Sequence, residues 1–202
     1  MSEAFLRRLS RWQAEQQRAP LAEVHVRARR GGDTGDGRDD REAFLLRFEQ
    51  HVQRPGFDMA VADADGGPVG WAYGYRAAPD SGWMSAAWGD GLAAAEDELP
   101  DEIRALTAAR RTFLLIELVV LPTHRRRGIA TRLGELLLSR LTTDLVLTAV
   151  EPPAGEERSP AAAETLHAWG WEKLGEAART PVVDAVAQDA GAREVWARRP
   201  PR

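Results

Sequence analysis

One short segment constrains the fold of this chain more than any other: an apolar strand pattern, a basic turn with one glycine, and an amphipathic helix pattern follow one another directly. The strand pattern covers residues 113–121, Pro122 ends it, and the helix pattern begins at Thr131. The first amides of a helix have no intrahelical acceptor and carry the positive end of the helix dipole. The turn before these amides contains Gly128 and three arginines. This combination predicts a site that binds an anion such as phosphate.

This turn is not one of the common nucleotide-binding loops. A Walker A loop requires Gly-x-x-x-x-Gly-Lys-Ser/Thr and a dinucleotide fold requires Gly-x-Gly-x-x-Gly, and neither pattern occurs in the sequence. Lys173 is the only lysine in an arginine-rich chain, so composition alone also produces runs of arginine in plain solvent-exposed connections. The position of the run between a buried-type strand and an amphipathic helix favours the anion site.

Composition excludes several classes of protein. The chain has 202 residues, no cysteine and a formal net charge of −4. The length predicts a single domain over residues 1–202, and the charge argues against a general nucleic-acid binder. Without cysteine there is no disulfide, no thiolate nucleophile and no cysteine-based zinc site, which favours a reducing, cytoplasmic compartment.

The sequence also lacks clear membrane, secretion and metal-binding patterns. No segment approaches about 20 consecutive apolar residues, so we expect no membrane span. Residues 1–9 are too charged for a secretory signal. The four histidines have no metal-ligand spacing, so we expect no metal site at His25, His51, His124 or His167.

The succession of helix and strand patterns predicts a mixed α/β fold. Residues 1–20 are predicted to hold an extra N-terminal helix, and residues 77–111 to form a divergent insert before the central strand. Further helices are predicted at 40–53, from residue 131, and at 161–169. Further strands are predicted at 23–29, 57–62, 69–75, 144–150, 171–175, 182–186 and 194–197.

The sequence of the basic turn, RRRGIA at residues 125–130, resembles the Arg/Gln-x-x-Gly-x-Gly/Ala signature of the GNAT superfamily of N-acetyltransferases. In that family the turn binds the pyrophosphate of acetyl-CoA. The preceding strand end, ELVVLP at 117–122, and the late segment AWGW at 168–171 are also similar to the family pattern. The resemblance spans about residues 23–198 and implies a GNAT-like acyl-CoA N-acyltransferase fold, with a central mixed sheet flanked by helices.

The resemblance further implies which residues hold acetyl-CoA. In the family, backbone amides of the central strand hold the pantetheine arm and the acetyl carbonyl, and the turn with the first helical residues holds the pyrophosphate. The corresponding residues here are Leu118, Val119, Val120, Arg125, Arg126, Arg127, Gly128, Ile129, Ala130 and Thr131.

Glu117 is predicted to be the general base. A carboxylate within an apolar strand is costly to bury unless it faces a cleft, where it can take a proton from an attacking amine. The alternative is a structural Glu117 at a strand end, paired with an arginine. The family usually carries a tyrosine as general acid in the last helix and an asparagine at that helix's start. Those positions are Leu166 and Ser159 here, so the acid is unassigned.

Together these features predict an acetyl-CoA-dependent N-acetyltransferase that acts on a primary amine by direct attack in a ternary complex. The acceptor is a small molecule or a peptide, and a protein N-terminus is one of the alternatives. A homodimer is left open, and the net charge and the lack of a long apolar segment predict no nucleic-acid and no membrane partner. Because the tyrosine is missing at Leu166, a second hypothesis is a GNAT-fold module that binds acyl-CoA as a sensor without turnover.

Overall fold

The computed structural model describes residues 3–30, 37–79, 82–88, 92, 96–150, 160–177 and 193–200. The strands are β1 (Phe5–Leu9), β2 (Asp58–Ala64), β3 (Gly67–Arg76), β4 (Thr112–Val120), β5 (Leu145–Val150), β6 (Glu172–Ala177) and β7 (Arg193–Arg198). The helices are α1 (Arg11–Gln16), α2 (Arg18–Arg30), α3 (Arg38–Val52), α4 (Trp83–Trp88), α5 (Asp101–Ala108), α6 (Ile129–Leu138) and α7 (Pro160–Ala168).

The strands form a seven-stranded mixed sheet in the order β1-β2-β3-β4-β5-β7-β6, and helices flank it. The mixed α/β class with a central sheet is therefore confirmed. Within the described residues, no helix combines the length and the apolar character needed to cross a membrane.

The chain divides into two compact units. The first comprises Met1–Tyr75 and Glu117–Leu141, and the second comprises Arg76–Ile116 and Thr142–Arg202. The division falls within β4, whose last four residues belong to the first unit. The single domain over residues 1–202 stays a prediction.

In the first unit, β1, β2 and β3 are antiparallel, and the hairpin predicted between β2 and β3 is confirmed. Its turn is Asp65-Gly66, with both residues at positive φ, as a two-residue hairpin of matching twist requires. Trp71 and Tyr73 lie on one face of β3, where Phe44 and Phe48 of α3 pack against them at centroid distances of 5.5 and 5.3 Å. This aromatic cluster is part of the buried core of the first unit.

The predicted helix over residues 1–20 is wrong as a single element. Phe5–Leu9 is strand β1, which pairs with β2, and only Arg11–Gln16 is helical before α2 begins. Arg7 bonds to Asp63 at 2.6 Å and Arg8 pairs with Asp58, so partners distant in sequence hold this short edge strand. Ser10 then starts α1 with a capping box to Gln13, which fixes the break between strand and helix.

The predicted first strand at 23–29 is also wrong, because this segment lies within helix α2. Leu21, Val24, His25 and Ala28 are buried, and their spacing is that of one helix face. The alternation of Val24, Val26 and Ala28 with charged residues gave a strand pattern by coincidence. Pro20 does not end a helix but lies in the first turn of α2, where a missing amide hydrogen costs nothing.

In the second unit, β5 runs parallel to β4 over three register pairs, from Thr112↔Leu145 to Leu114↔Leu147, and antiparallel to β7. Strands β6 and β7 are antiparallel neighbours. The predicted insert at 77–111 contains α4, whose Trp83, Met84 and Trp88 side chains are buried. The predicted strand at 182–186 lies outside the described residues.

Helix α7 ends as its sequence predicts, at Gly170. Gly170 has a φ of +76°, and the amides of Trp171 and Gly170 donate to the carbonyls of Leu166 and His167 at 3.0 and 2.9 Å. This pair of bonds is the Schellman arrangement, which needs a residue that tolerates left-handed backbone. Trp171, directly after it, is buried and begins the path to β6.

Two glycines of the first unit differ in what a methyl group would meet. A Cβ at Gly70 would lie 2.8 Å from the carbonyl oxygen of Val119 and 3.1 Å from Cγ2 of Val120. A Cβ at Gly134 would lie 3.9 Å from Cδ1 of Leu118, an ordinary contact. The close approach of β4 therefore leaves no room for a side chain at residue 70. At residue 134 there is room for the methyl group of alanine.

We predict opposite effects for the matched variants Gly70→Ala and Gly134→Ala. Gly70→Ala should lower the free energy of unfolding by about 1–3 kcal/mol, because backbone atoms of β4 must move. Gly134→Ala should raise it by about 0.5–1 kcal/mol, because alanine favours the helix. Denaturant titration measures both, and equal stabilities for the two variants would contradict the close approach at Gly70.

Candidate active site

The end of β4 is unusually open for an apolar strand. Thr112 to Leu115 are buried, whereas Ile116, Glu117, Leu118 and Val119 are only half-buried before Val120 is buried again. The register pairs with β5 stop at Leu114. Part of the strand that is predicted to bind the pantetheine arm through its backbone is thus accessible.

The turn after β4 begins with a short 3₁₀ segment, Pro122–His124, and reaches helix α6 through two left-handed residues. Arg126 has a φ of +62° and Gly128 a φ of +70°. Gly128 is the N-cap of α6 and makes no side-chain cap, and a Cβ there would meet no heavy atom within 4 Å. Glycine is therefore favoured at residue 128 by the left-handed backbone conformation and not by a lack of space.

The N-terminus of α6 lies where the anion site is predicted. The helix is ten residues long, and the first turn contains no acidic residue. Among the described residues, none accepts a hydrogen bond from the amides of residues 128–131. Four amide donors of one helix end are thus available to a ligand, with the helix dipole behind them.

The three arginines of the turn do not share one role. The Arg125 side chain donates from Nη2 to the carbonyl of Ala28 at 2.6 Å and from Nε to that of Val120 at 3.2 Å. It fastens the turn to the last part of α2 and to the end of β4. Arg126 and Arg127 are exposed, and neither has an ion pair with a described residue.

Glu117 has a partner that the sequence did not suggest. Its Oε1 lies 2.6 Å from Nδ1 of His25, which is carried by helix α2. The side chain of His25 is 2% exposed and that of Glu117 is 16% exposed, so the carboxylate is only partly removed from solvent. The predicted structural alternative, Glu117 paired with an arginine, is not what the described residues show.

A second buried histidine, His51, contacts Tyr73, which interacts electrostatically with Glu117. Nδ1 of His51 is 3.0 Å from the hydroxyl of Tyr73, and the His51 ring is 5.1 Å from that of Tyr75. Burial raises the pKa of Tyr73 well above its usual value, and the nearby charge of Glu117 raises it further. Tyr73 is therefore protonated at neutral pH. Burial also raises the pKa of Tyr75.

Sequence reasoning missed His25 and His51 as members of a cluster. Helical periodicity places His25 on the buried face of α2 together with Val24 and Ala28, and a histidine on such a face needs a polar partner. That signal was present in the sequence, but the strand assignment for 23–29 concealed it. The partner, Glu117, is 92 residues away along the chain.

Leu166, at the position expected to carry the acid, is 8% exposed in α7 of the second unit. Its carbonyl accepts the bonds that end the helix. Leucine cannot donate a proton, so the described structure assigns no acid at this position. Ser159 lies outside the described residues, and no group of three or more potential metal ligands occurs within them.

Comparison with known proteins identifies the fold. No protein-family model and no curated protein matches the chain. An acetyltransferase of the GNAT family from Streptococcus pneumoniae is 12% identical, covers 98% of this chain and 100% of its own, and superposes with a TM-score of 0.59. Ribosomal-protein-alanine N-acetyltransferase from Brucella melitensis is 16% identical, with coverages of 96% and 99% and a TM-score of 0.55.

The yncA protein of Salmonella typhimurium, solved with its cofactor acetyl-CoA, is 14% identical, with coverages of 98% and 94% and a TM-score of 0.56. Structural neighbours across the whole chain are therefore GNAT-family acetyltransferases at low sequence identity. The expected GNAT fold is confirmed. The roles of individual residues at the site stay predictions.

The contacts of Arg125 predict that it contributes more to stability than its two neighbours. Arg125→Met should lower the free energy of unfolding by about 1–2 kcal/mol, because two carbonyls lose a charged donor. Arg126→Met and Arg127→Met, the matched controls, should change it by less than about 0.5 kcal/mol. Thermal and denaturant unfolding measure the three variants. If Arg126→Met lowered the free energy of unfolding as much as Arg125→Met, the stabilising role assigned to Arg125 alone would be contradicted.

Proposed function

We propose that this protein is an acetyl-CoA-dependent N-acetyltransferase that acetylates a primary amine by direct transfer within a ternary complex. One observation carries the proposal. The half-buried end of β4, which carries Glu117, is followed directly by a turn at Gly128 after which the four amides of residues 128–131 have no acceptor among the described residues. The GNAT fold supports the same function.

The residues of the turn fit the pyrophosphate of acetyl-CoA. The amides of Gly128, Ile129, Ala130 and Thr131 would donate to its oxygens, and Arg126 and Arg127 would add positive charge. Arg125 would contribute through its backbone and through the shape of the turn, since its guanidinium already binds two carbonyls. When bound, acetyl-CoA supplies the acetyl group as a thioester, which an amine can attack directly.

Leu118, Val119 and Val120 would hold the pantetheine arm through their backbone groups. Leu118 and Val119 are half-buried rather than buried, which leaves a ligand access to this part of β4. Gly70 of the neighbouring strand β3 lies close to the backbone of Val119 and Val120. Positioning of this kind supplies a large part of the rate in acyl transfer between two bound substrates.

Glu117 would take the proton from the acceptor amine, because a protonated amine has no lone pair for attack. Its partial exposure of 16% lets an acceptor or a bridging water reach the carboxylate. A cationic amine would also be attracted to the charged carboxylate before it loses its proton. The acceptor class proposed here is therefore a primary amine on a small molecule or a peptide.

A second candidate function follows from Leu166. A buried leucine cannot protonate a leaving thiolate, and this favours a sensor that binds acyl-CoA without turnover. A thiolate is nevertheless a good leaving group, so the reaction does not depend on an acid in the way that alkoxide departure does. Thiol release from acetyl-CoA with a panel of amines, amino acids, aminoglycosides and peptides separates the enzyme from the sensor.

The turn is tested with two substitutions at Gly128. Gly128→Asn should fold, because asparagine tolerates left-handed backbone, whereas Gly128→Val should lose stability at a φ of +70°. If the amides bind pyrophosphate, the asparagine side chain should obstruct the ligand and weaken acetyl-CoA binding at least about tenfold. Calorimetric titration measures the affinity, and an unchanged affinity for folded Gly128→Asn would show that the turn is only a connection.

The role of Glu117 is tested with Glu117→Gln, which keeps the shape of the side chain. We expect turnover to fall by about 10²- to 10⁴-fold, the usual contribution of a general base, with acetyl-CoA affinity unchanged. Glu135→Gln on the exposed face of α6 is the control and should keep full activity. Full activity in Glu117→Gln would remove Glu117 from the mechanism.

A further inference from the structure

We propose that His25 is a positioning residue for Glu117: its Nδ1–H donates to Oε1 of the carboxylate and leaves Oε2 to receive the proton of the acceptor amine. This inference rests on the proposed function, because that function gives Glu117 its task.

The contact itself supports a directed hydrogen bond. Nδ1 of His25 and Oε1 of Glu117 are 2.6 Å apart. An ionised carboxylate only accepts, so the proton of this bond belongs to the imidazole. Among the described residues, His25 is the hydrogen-bond partner of Glu117, and none of them donates to Oε2. One oxygen is therefore fixed and the other is available for chemistry.

The imidazole is held in one orientation by aromatic rings. His25 stacks on Phe44 at a centroid distance of 4.7 Å and an interplanar angle of 30°. The ring centroids of His25 and Trp71 are 6.5 Å apart, and the two ring planes meet at 15°. Rotation of the imidazole would lose this near-parallel packing. The His25 side chain is also only 2% exposed, so closely packed neighbours surround it.

Helix α2, which carries His25, is itself fixed on both sides of that residue. Before His25, the carbonyl of Leu21 accepts a hydrogen bond from Nε1 of Trp71 at 3.3 Å. After His25, the carbonyl of Ala28 accepts the 2.6 Å bond from Arg125. The two anchors lie about one helical turn to either side of His25. The helix that orients the base is thus also bonded to the turn proposed to hold the pyrophosphate.

The other charged or titratable groups near Glu117 do not take over this role. Tyr73 of β3 interacts with Glu117 electrostatically, but its hydroxyl is within 3.0 Å of His51 on α3. Arg47 of α3 interacts with Tyr73. His25 is the one that contacts the carboxylate directly among the described residues. Its loss should therefore change the behaviour of Glu117 more than the loss of any neighbour.

The matched variants His25→Phe and His25→Asn separate the hydrogen bond from the packing. Phenylalanine keeps a ring against Phe44 but has no donor, whereas asparagine places an amide N–H near the position of Nδ1 but loses the ring. We expect His25→Phe to lower kcat at least about tenfold, with acetyl-CoA affinity and acceptor KM nearly unchanged, because the carboxylate is misplaced. His25→Asn should recover most of kcat.

The pH dependence gives a second readout. Without a donor, the charged form of the carboxylate loses stabilisation, so the acidic limb of the kcat/KM profile should move to higher pH in His25→Phe and return in His25→Asn. A purely structural role would lower the stability of both variants without moving this limb. If folded His25→Phe keeps the kcat and the pH profile of the unaltered protein, His25 does not position Glu117.

Nuclear magnetic resonance of the unaltered chain, with ¹⁵N-labelled histidine, decides the hydrogen bond without any turnover. We expect the proton on Nδ1 of His25, and a change in the signals of His25 but not of His167 in Glu117→Gln. An unprotonated Nδ1, or His25 signals that ignore the substitution at Glu117, would overturn the inference. Absence of thiol release with every amine would count against the proposed enzyme. The imidazole signals do not depend on turnover, so they would still decide whether His25 donates to Glu117.

Discussion

The hydrogen bond from Arg125 to the carbonyl of Ala28 is the interaction on which the rest of the site depends. It joins the turn that follows β4 to the helix that carries His25. The left-handed residues next to Arg125 have no comparable side-chain anchor among the described residues, because Gly128 has no side chain and Arg126 has no ion pair with a described residue. The most basic part of the sequence thus contains one arginine that shapes the backbone and two that remain available for a ligand.

The same first unit brings together two kinds of chemistry that an acyl transfer needs. In the proposed function, the N-terminus of α6 would donate amides to an anion, and the carboxylate at the end of β4 would accept the proton of an amine. Both lie within fifteen residues of chain, so their relative position is set mainly by the turn between them. Aromatic packing behind Glu117 keeps His25 buried and leaves the carboxylate partly exposed, which is the arrangement expected of a base that must be both oriented and reachable.

The sequence predicted the elements whose signals are local. Strand β4, helix α6 and the β2–β3 hairpin have long apolar patterns or specific turn residues, and all three are present. Strand β1 was missed because its partners, the backbone of β2 and the carboxylates of Asp58 and Asp63, are distant in sequence. Helix α2 was mistaken for a strand because alternating valines imitated a period of two. The Glu117–His25 pair followed the same rule: a contact between residues 92 positions apart has no local pattern.

The central claim is that the turn at residues 125–131 binds the pyrophosphate of acetyl-CoA. Titration of the unaltered ¹⁵N-labelled protein with acetyl-CoA, followed by backbone amide shifts, tests it most directly because each amide reports separately. The account predicts saturable binding of one acetyl-CoA, with the largest shifts at the amides of residues 128–131, which have no acceptor among the described residues. Absence of saturable binding, or binding that leaves these four amides unmoved, would contradict it.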